Sequence, residues 1–190
     1  RRGQLTQVSA TPQSRHLRCV LTGDGHVIPM VDEHHVIGAT FDHVHQDERD
    51  ETQPTPDAEA DAHNRALAET LVPGLLSGGK TATKKSWAGL RCTTLDHLPL
   101  AGPLPDHAAY LSDFADLRHG HRWSTYPNAR YHEGVFVLTG LGAHGVVAAP
   151  LAAELLASHV CGDPHPVAQS IVSALHPGRF IVRDLKRQKA

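Results

Sequence analysis

One stretch leaves this chain few ways to fold: an apolar, β-rich run at 135–138 passes through Gly140, Gly142 and Gly145 into an alanine- and leucine-rich run that reaches residue 160. The glycines stand at the spacing G-x-G-x-x-G, so the stretch reads as a strand, a tight turn and a helix N-terminus. Such a turn presents backbone N–H groups at the positive end of a helix dipole and suits an anion or an electron-rich ring edge. A complete dinucleotide-binding unit needs a second parallel strand ending in an acidic residue about 20 positions on. The helical run is followed instead by Cys161-Gly162-Asp163-Pro164 and a second helical segment, which puts Asp163 in a turn. Three readings stay open on the spacing alone: a pyrophosphate cradle, a purely structural glycine turn, or a turn that approaches a cofactor whose pyrophosphate is bound elsewhere.

With 190 residues, 40% of them hydrophobic, the chain can bury the core of one ordinary domain with a smaller lobe attached. A formal net charge of −2 and a pI near 6.8 give no whole-protein basic field for nucleic acid. Cys19, Cys92 and Cys161 are odd in number and widely spaced, which argues against a disulfide framework and a cysteine zinc site. A reducing, cytoplasmic setting is the default expectation. The longest apolar run, 146–160, is too short for a bilayer and is broken by Pro150 and Glu154, so no membrane span is expected. The chain opens on Arg1-Arg2-Gly3 with no initiator Met and no apolar signal segment, and reads as a fragment of a longer protein.

Short strands are expected at 4–8, 17–21, 26–31 and 34–40, with Asp32-Glu33 as a two-residue hairpin connection. The acidic, proline-bearing segment 46–61 reads as a solvated loop leading into a helix capped at Thr55-Pro56-Asp57, running 58–71 and stopped by Pro73-Gly74. Gly78-Gly79 reopens a strand that carries residues 87–94. A short helical stretch at 107–117 precedes the glycine turn, a helix at 167–175 follows it, and the tail is basic (Arg179, Arg183, Lys186, Arg187, Lys189).

Sixteen histidines raise the question of a metal. His43-Val44-His45 and His119-Gly120-His121 each set two imidazoles on one face, but zinc needs three or four ligands and neither pair is completed at a usual spacing, so no metal is expected. Arg91 lies in an otherwise apolar strand and shares a face with Trp87 and Gly89 if that strand is regular. Facing a pocket, it would clamp a carboxylate bidentately; otherwise it reaches solvent or pairs with Asp96. The basic tail is a solvated helix end or an RNA contact.

The order of these pieces carries a resemblance. Arg-Gly-Gln at 2–4 is followed by Gly-Asp-Gly-His-Val-Ile-Pro at 23–29, Ile-Gly-Ala-Thr-Phe-Asp at 37–42 and Trp-Ala-Gly-Leu-Arg-Cys-Thr-Thr-Leu-Asp-His-Leu-Pro at 87–99. Gly-Leu-Gly-Ala-His-Gly and Ala-Pro-Leu-Ala-Ala-Glu-Leu-Leu then fall between 140 and 156, and Ala-Leu-His-Pro-Gly-Arg-Phe closes the series at 174–180. This order resembles the C-terminal half of the flavin-dependent amine oxidases of the D-amino acid oxidase superfamily. Within it, the similarity is greatest to the oxidoreductase domain of bifunctional enzymes that modify the tRNA wobble uridine.

The resemblance implies an α+β fold: an antiparallel-rich substrate-binding lobe over 1–130, and over 131–190 the last strand and helices of an FAD-binding, Rossmann-like domain whose N-terminal nucleotide-binding part is absent. It implies FAD as cofactor, with Gly140, Leu141, Gly142, Ala143, His144, Gly145 and Val146 as flavin contacts, and Arg91 as the arginine that binds the substrate carboxylate. It assigns no catalytic side chain. The implied reaction oxidises the carboxymethylaminomethyl group of a tRNA wobble uridine to aminomethyl with release of glyoxylate. The implied partners are that tRNA and the missing N-terminal part of the same protein. His144 departs from the arginine expected in the tRNA-modifying group, whereas a Gly-His-Gly-like turn occurs in sarcosine oxidases. Two alternatives therefore stand beside the first: a glycine or sarcosine oxidase, and a truncated, non-catalytic fragment that binds RNA or a protein partner.

Overall fold

Strand β1 (Arg2–Ser9) organises the first half of the protein in the computed structural model, which describes residues 1–44, 54–77, 81–120 and 126–187. The chain divides into two compact units, Arg1–Arg91 and Cys92–Ala190. In the first, β1 lies between β4 (His34–Gly38) and β5 (Thr83–Leu90), and β3 (His26–Val27) and β2 (Leu21–Thr22) continue the sheet beyond β4. Every pairing is antiparallel. Val8, Val27 and Ile37 are fully buried beneath helix α1 (Ala58–Leu71) and Leu75 and Leu76, which follow it. Each such side chain contributes about 1.5–3 kcal/mol by leaving water.

The interface between α1 and β1 is polar as well as apolar. Gln4 and Thr6, both fully buried, donate to Asp61 Oδ1 at 2.7 and 2.6 Å, and Ser86 Oγ donates to the same carboxylate at 2.7 Å. Asn64 Nδ2 reaches the Gln4 carbonyl at 2.9 Å and the Thr6 hydroxyl at 3.0 Å. The helix begins where its capping residues predict: Asp57 accepts from the Ala60 N–H at 2.7 Å. It ends before Pro73, and the Glu69 carboxylate accepts the N–H groups of Gly74 and Leu76 at 2.7 Å each.

The Asp32-Glu33 connection forms as expected. Val31 and His34 exchange backbone bonds at 2.9 Å, and φ is +47° at Asp32 and +64° at Glu33, as a type I′ turn demands. Of the strand expected at 17–21 only Leu21 is formed, as the first residue of β2. A 3-10 turn at Ser14–His16 precedes it, because the Thr11 N–H donates to Ser14 Oγ at 2.7 Å and the Ser14 N–H to Thr11 Oγ1 at 3.0 Å. These local side-chain bonds hold the backbone away from the ladder. The strand expected at 26–31 narrows to β3, as Pro29 has no N–H to donate.

In the second unit, β6 (Leu100–Pro105) pairs with β7 (Tyr131–Thr139), with a register shift between Pro103 and Pro105. The expected helical stretch at 107–117 is α2 (His107–Asp113), capped by Asp106, followed by a 3-10 turn at Ala115–His119. Three helices complete the unit: α3 (Gly145–Cys161), α4 (Gln169–Leu175) and α5 (Arg179–Arg187). Ala101, Ala152, Leu155 and Val172 form one core, and Tyr110, Phe114, Leu117 and Leu185 another. The acidic residues of 46–53, Gly78-Gly79, His45, His121 and Lys189 lie outside the described residues.

Candidate functional site

Arg91 follows directly on β5, and the pairing of β5 with β1 sets where it emerges. Arg2 pairs with Leu90 and Gly3 with Gly89, and the Arg91 N–H extends the ladder to the Arg1 carbonyl at 2.7 Å. The Arg91 side chain then folds back across β1, so its guanidinium lies against Gly3, where a Cβ would occupy the same space. Nη1 donates to the Thr40 carbonyl at 2.9 Å, and the guanidinium carbon sits 5.6 Å from the centre of the Phe41 ring.

The charge on this group is unusual for a half-buried side chain. Among the described residues no carboxylate reaches ion-pair distance of Arg91, whereas Arg2 is paired with Asp57 at 2.7 Å. Burial pushes the Arg91 pKa down, and the Asp42 charge acts the other way. His26 is lowered too, by burial and by the Arg91 charge. The pairing of Arg91 with Asp96 weighed from sequence is not formed, since Asp96 is held by Arg179. An open polar cavity of about 650 Å³ lies in the same unit, lined by Arg2, Thr40, Asp42, His43, Asp57 and His63 among others. Arg91 is not among its lining residues, and its acidic lining does not suit an anion.

The glycine turn belongs to the second unit. β7 ends at Thr139, Gly140 takes φ +72° and Gly142 φ +57°, and α3 begins at Gly145 behind His144. The positive φ values explain two of the glycines. Close approach adds to the first, because a Cβ on Gly140 would stand 2.8 Å from Thr94 Cγ2. Leu141 bridges to Thr93, and the Gly142 N–H donates to the Cys92 carbonyl at 2.9 Å.

Not all the donors of the turn are open, in contrast to the expectation from sequence. The Gly142 N–H is engaged by Cys92, the His144 N–H by the Leu141 carbonyl at 3.2 Å, and Val147 and Ala148 both bond to the His144 carbonyl. The N–H groups of Ala143, Gly145 and Val146 keep no protein acceptor among the described residues. His144 makes no side-chain capping bond. Val146 and Val147 are 94% and 82% exposed, so the start of α3 joins open donors to bare apolar surface. Such a combination fits the polar edge and flat face of a flavin ring.

Sequence reasoning reached Arg91 and the turn but passed over the residues that shape them: Gly3, Thr40 and Phe41 around Arg91, and Cys92, Thr93 and Thr94 around the turn. The signal was present, since 2–4, 37–42 and 87–99 are among the segments that carry the resemblance. Each histidine pair has one member, His45 or His121, outside the described residues; among the described residues no group of three or more His, Cys, Asp or Glu could hold a metal. The three cysteines are free and exposed. Among the described residues no helix is long and apolar enough to cross a membrane.

Comparison with known proteins finds relatives of the chain. The family model described as FAD dependent oxidoreductase (DAO) matches residues 1–159. The chain is 36% identical over 191 residues to the tRNA 5-methylaminomethyl-2-thiouridine biosynthesis bifunctional protein MnmC of Pseudomonas aeruginosa, covering 98% of this chain and 28% of that protein. Identity to the MnmC of Pseudoalteromonas translucida is also 36%, over 99% of this chain and 27% of the relative. The chain thus spans less than a third of the curated relatives it matches. Among solved structures, glycine oxidase from Geobacillus kaustophilus aligns with a TM-score of 0.64 at 19% identity, over 92% of this chain and 37% of that one. Iminodiacetate oxidase from Chelativorans sp. BNC1 aligns with a TM-score of 0.57 at 20% identity, over 90% and 38%. At these identities the two structures speak for the fold, and the family match and the MnmC relatives for descent: the chain belongs to the DAO family of FAD-dependent oxidoreductases.

Proposed function

We propose that this chain is the substrate-gripping and ring-facing part of an FAD-dependent oxidoreductase that oxidises the carboxymethylaminomethyl group of a tRNA wobble uridine to aminomethyl, releasing glyoxylate. The reading rests on one observation above the others: Arg91 presents a half-buried guanidinium with no carboxylate partner among the described residues. The proposed substrate carries a matching group, a glycine carboxylate joined through nitrogen to the base. The tRNA comes from the relatives, whose name places them in the biosynthesis of a modified tRNA uridine.

In this reading Arg91 grips the carboxylate and fixes the methylene between carboxylate and amine for reaction, a positioning role of the kind that replaces lost freedom with a defined approach. The turn at 140–146 faces the flavin, and the open N–H groups of Ala143, Gly145 and Val146 stabilise negative charge at the helix N-terminus. When bound, FAD supplies the two-electron acceptor. No side-chain base is assigned, because an amine arriving neutral needs none. Residues 1–130 serve as the substrate lobe and 131–190 as part of the flavin domain, completed by the remainder of a longer, cytoplasmic polypeptide.

The test uses the full-length protein loaded with FAD, with tRNA bearing the carboxymethylaminomethyl uridine as substrate. Mass spectrometry of the digested tRNA is expected to show conversion to the aminomethyl nucleoside together with glyoxylate. Turnover of free glycine or sarcosine with none of the tRNA would replace this reading with the small-amino-acid alternative. A protein that takes up no FAD would leave only a binding module. Against that third reading, Arg179 is held by Asp96 and Arg183 by Asp184, and both stack on Phe180 at 4.4 and 4.8 Å.

A further inference from the structure

We propose that Gly3 is a positioning residue for Arg91: by lacking a side chain it forms the floor on which the guanidinium lies, and so holds the anion-gripping edge of that arginine in place. The inference rests on the reading of Arg91 as the carboxylate-binding residue. Three contacts of different kind converge on one planar group. The bare backbone at Gly3 lies beneath it, the Thr40 carbonyl accepts from Nη1 at 2.9 Å, and the Phe41 ring faces it at 5.6 Å. Arg1 approaches the same ring at 5.5 Å, so Phe41 is shared by two guanidinium groups.

The geometry of the arginine makes this selective. Nε and Nη2 carry parallel N–H bonds on one side of the guanidinium, the pair that meets both oxygens of a carboxylate. Thr40 engages Nη1, and Nε and Nη2 have no partner among the described residues. The complete fork is therefore kept for an incoming anion, with its plane already fixed. An unsupported arginine would have to give up rotamer freedom on binding.

Gly3 is needed because it stands opposite Gly89 in the β1–β5 ladder, and the Arg91 side chain crosses β1 at that point. The atoms that a Gly3 methyl group would meet are Nη1, Cζ and Nη2 of Arg91. They are the far end of a flexible side chain, so the fold absorbs the methyl group and the guanidinium moves. Its bond to the Thr40 carbonyl and its stacking on Phe41 are then lost together. Gly89 has open space where its own Cβ would be, which makes it a control on the same pair of strands.

The experiment is a double-mutant cycle in the full-length, flavin-loaded protein, with glycolate as probe and calorimetry as readout. Gly3→Ala is expected to weaken glycolate about tenfold or more, as loss of a charge-assisted fork implies. In an Arg91→Ala background the same substitution is expected to change nothing further, and Gly89→Ala should leave the affinity at the parental value. Thermal unfolding supplies the second readout. If Gly3→Ala lowers Tm, Arg91→Ala is expected to restore it, because the obstructing group is gone.

Independent, additive losses in the double variant would overturn the inference, as would a fall in Tm that Arg91→Ala leaves uncorrected. Glycolate binding that Arg91→Ala weakens and Gly3→Ala spares would overturn it while leaving the role of Arg91 intact. Unchanged binding in Arg91→Ala would remove both.

Discussion

Arg179 holds the carboxylate of Asp96 with two nitrogens, Nε to Oδ2 and Nη2 to Oδ1, each at 2.8 Å. The same guanidinium reaches the carbonyls of Leu98 at 2.7 Å and Pro99 at 3.1 Å, so the first turn of α5 fastens the loop that leads into β6. These bonds hold the Asp96 carboxyl well below the usual carboxylate range; burial opposes them, and the Leu98 N–H and Thr94 hydroxyl assist. Arg179→Lys keeps the charge but loses the fork. It is expected to lower the unfolding free energy by about 1–2 kcal/mol, discounted because Asp96 is 37% exposed. Denaturant titration checks this, and a variant as stable as the parent would show that the cluster gives no net stability.

Arg91→Ala is expected to raise the substrate KM at least tenfold, the scale of a lost charge-assisted hydrogen-bond pair, while flavin content stays at the parental level. Arg91→Lys should recover only part of the loss. Steady-state kinetics beside the flavin absorbance separates the two quantities, and an unaltered KM would take Arg91 out of the site.

Gly140→Ala combines a left-handed backbone with a methyl group 2.8 Å from Thr94 Cγ2. Thr94 cannot easily turn aside, because its hydroxyl is held by Asp96 at 2.9 Å and by the Leu98 carbonyl at 2.7 Å. The expected cost is about 2–4 kcal/mol of stability together with poorer flavin retention. Adding Thr94→Ser, which removes the methyl group and keeps the hydroxyl, should return the steric share and leave about 1 kcal/mol for the backbone. Equal stability of the single and double variants would exclude the steric account.

The α1–β1 network predicts an acid response. Burial alone would raise the Asp61 pKa, but hydrogen bonds from Thr6, Ser86 and Gln4 and the Arg65 charge outweigh it, and the net shift is downward. A carboxyl depressed in the fold adds stability above its unfolded value of about 3.9, and that stability is lost as pH falls through the folded value. Asp61→Ala is therefore expected to cost about 2–3 kcal/mol near neutrality, with the gap to the parent narrowing as pH falls below the unfolded value. Chemical denaturation at several pH values measures it; a gap that stays constant with pH would count against the carboxylate.

A second pH response has the opposite chemistry. His159 Nε2 is buried without a hydrogen-bond partner among the described residues, and its ring lies 4.4 Å from that of His165. Burial and then His165 push its pKa down; burial, His159 and Arg179 do the same to His176, whose Nε2 lies 3.2 Å from the Tyr131 hydroxyl. The unfolded chain takes up these protons from about pH 6.5 downward before the folded one does, so stability falls as pH drops below that value. Thermal unfolding at pH 7.5 and 5.5 should show it, with a shallower fall in His159→Leu.

What could be read from sequence was local. Asp57 and Pro73 bracket α1 where the capping residues and the proline put them, and the glycine spacing located the passage from β7 into α3. The failures came from bonds that join distant residues or compete close by. Nothing in the text near Gly142 says that its N–H is taken by Cys92, fifty positions earlier in the chain. Nor does the run at 17–21 disclose that Thr11 and Ser14 turn the backbone just ahead of it. Arg91 was recognisable as a charge beside an apolar run, although it follows β5 and does not lie within it, but the floor beneath it is a glycine on β1.

The carboxylate of Asp61 also acts as a ruler. Apolar side chains tolerate sliding, because one methyl group packs much like the next, whereas the donors of Gln4, Thr6 and Ser86 meet one acceptor in one alignment only. A slip of α1 by a single turn would carry the Asp61 carboxylate away from all three donors. The helix is thereby indexed to β1 at the residue beside Gly3, and the strand that carries the bed of Arg91 inherits its position from a hydrogen-bond code instead of from the grease around it.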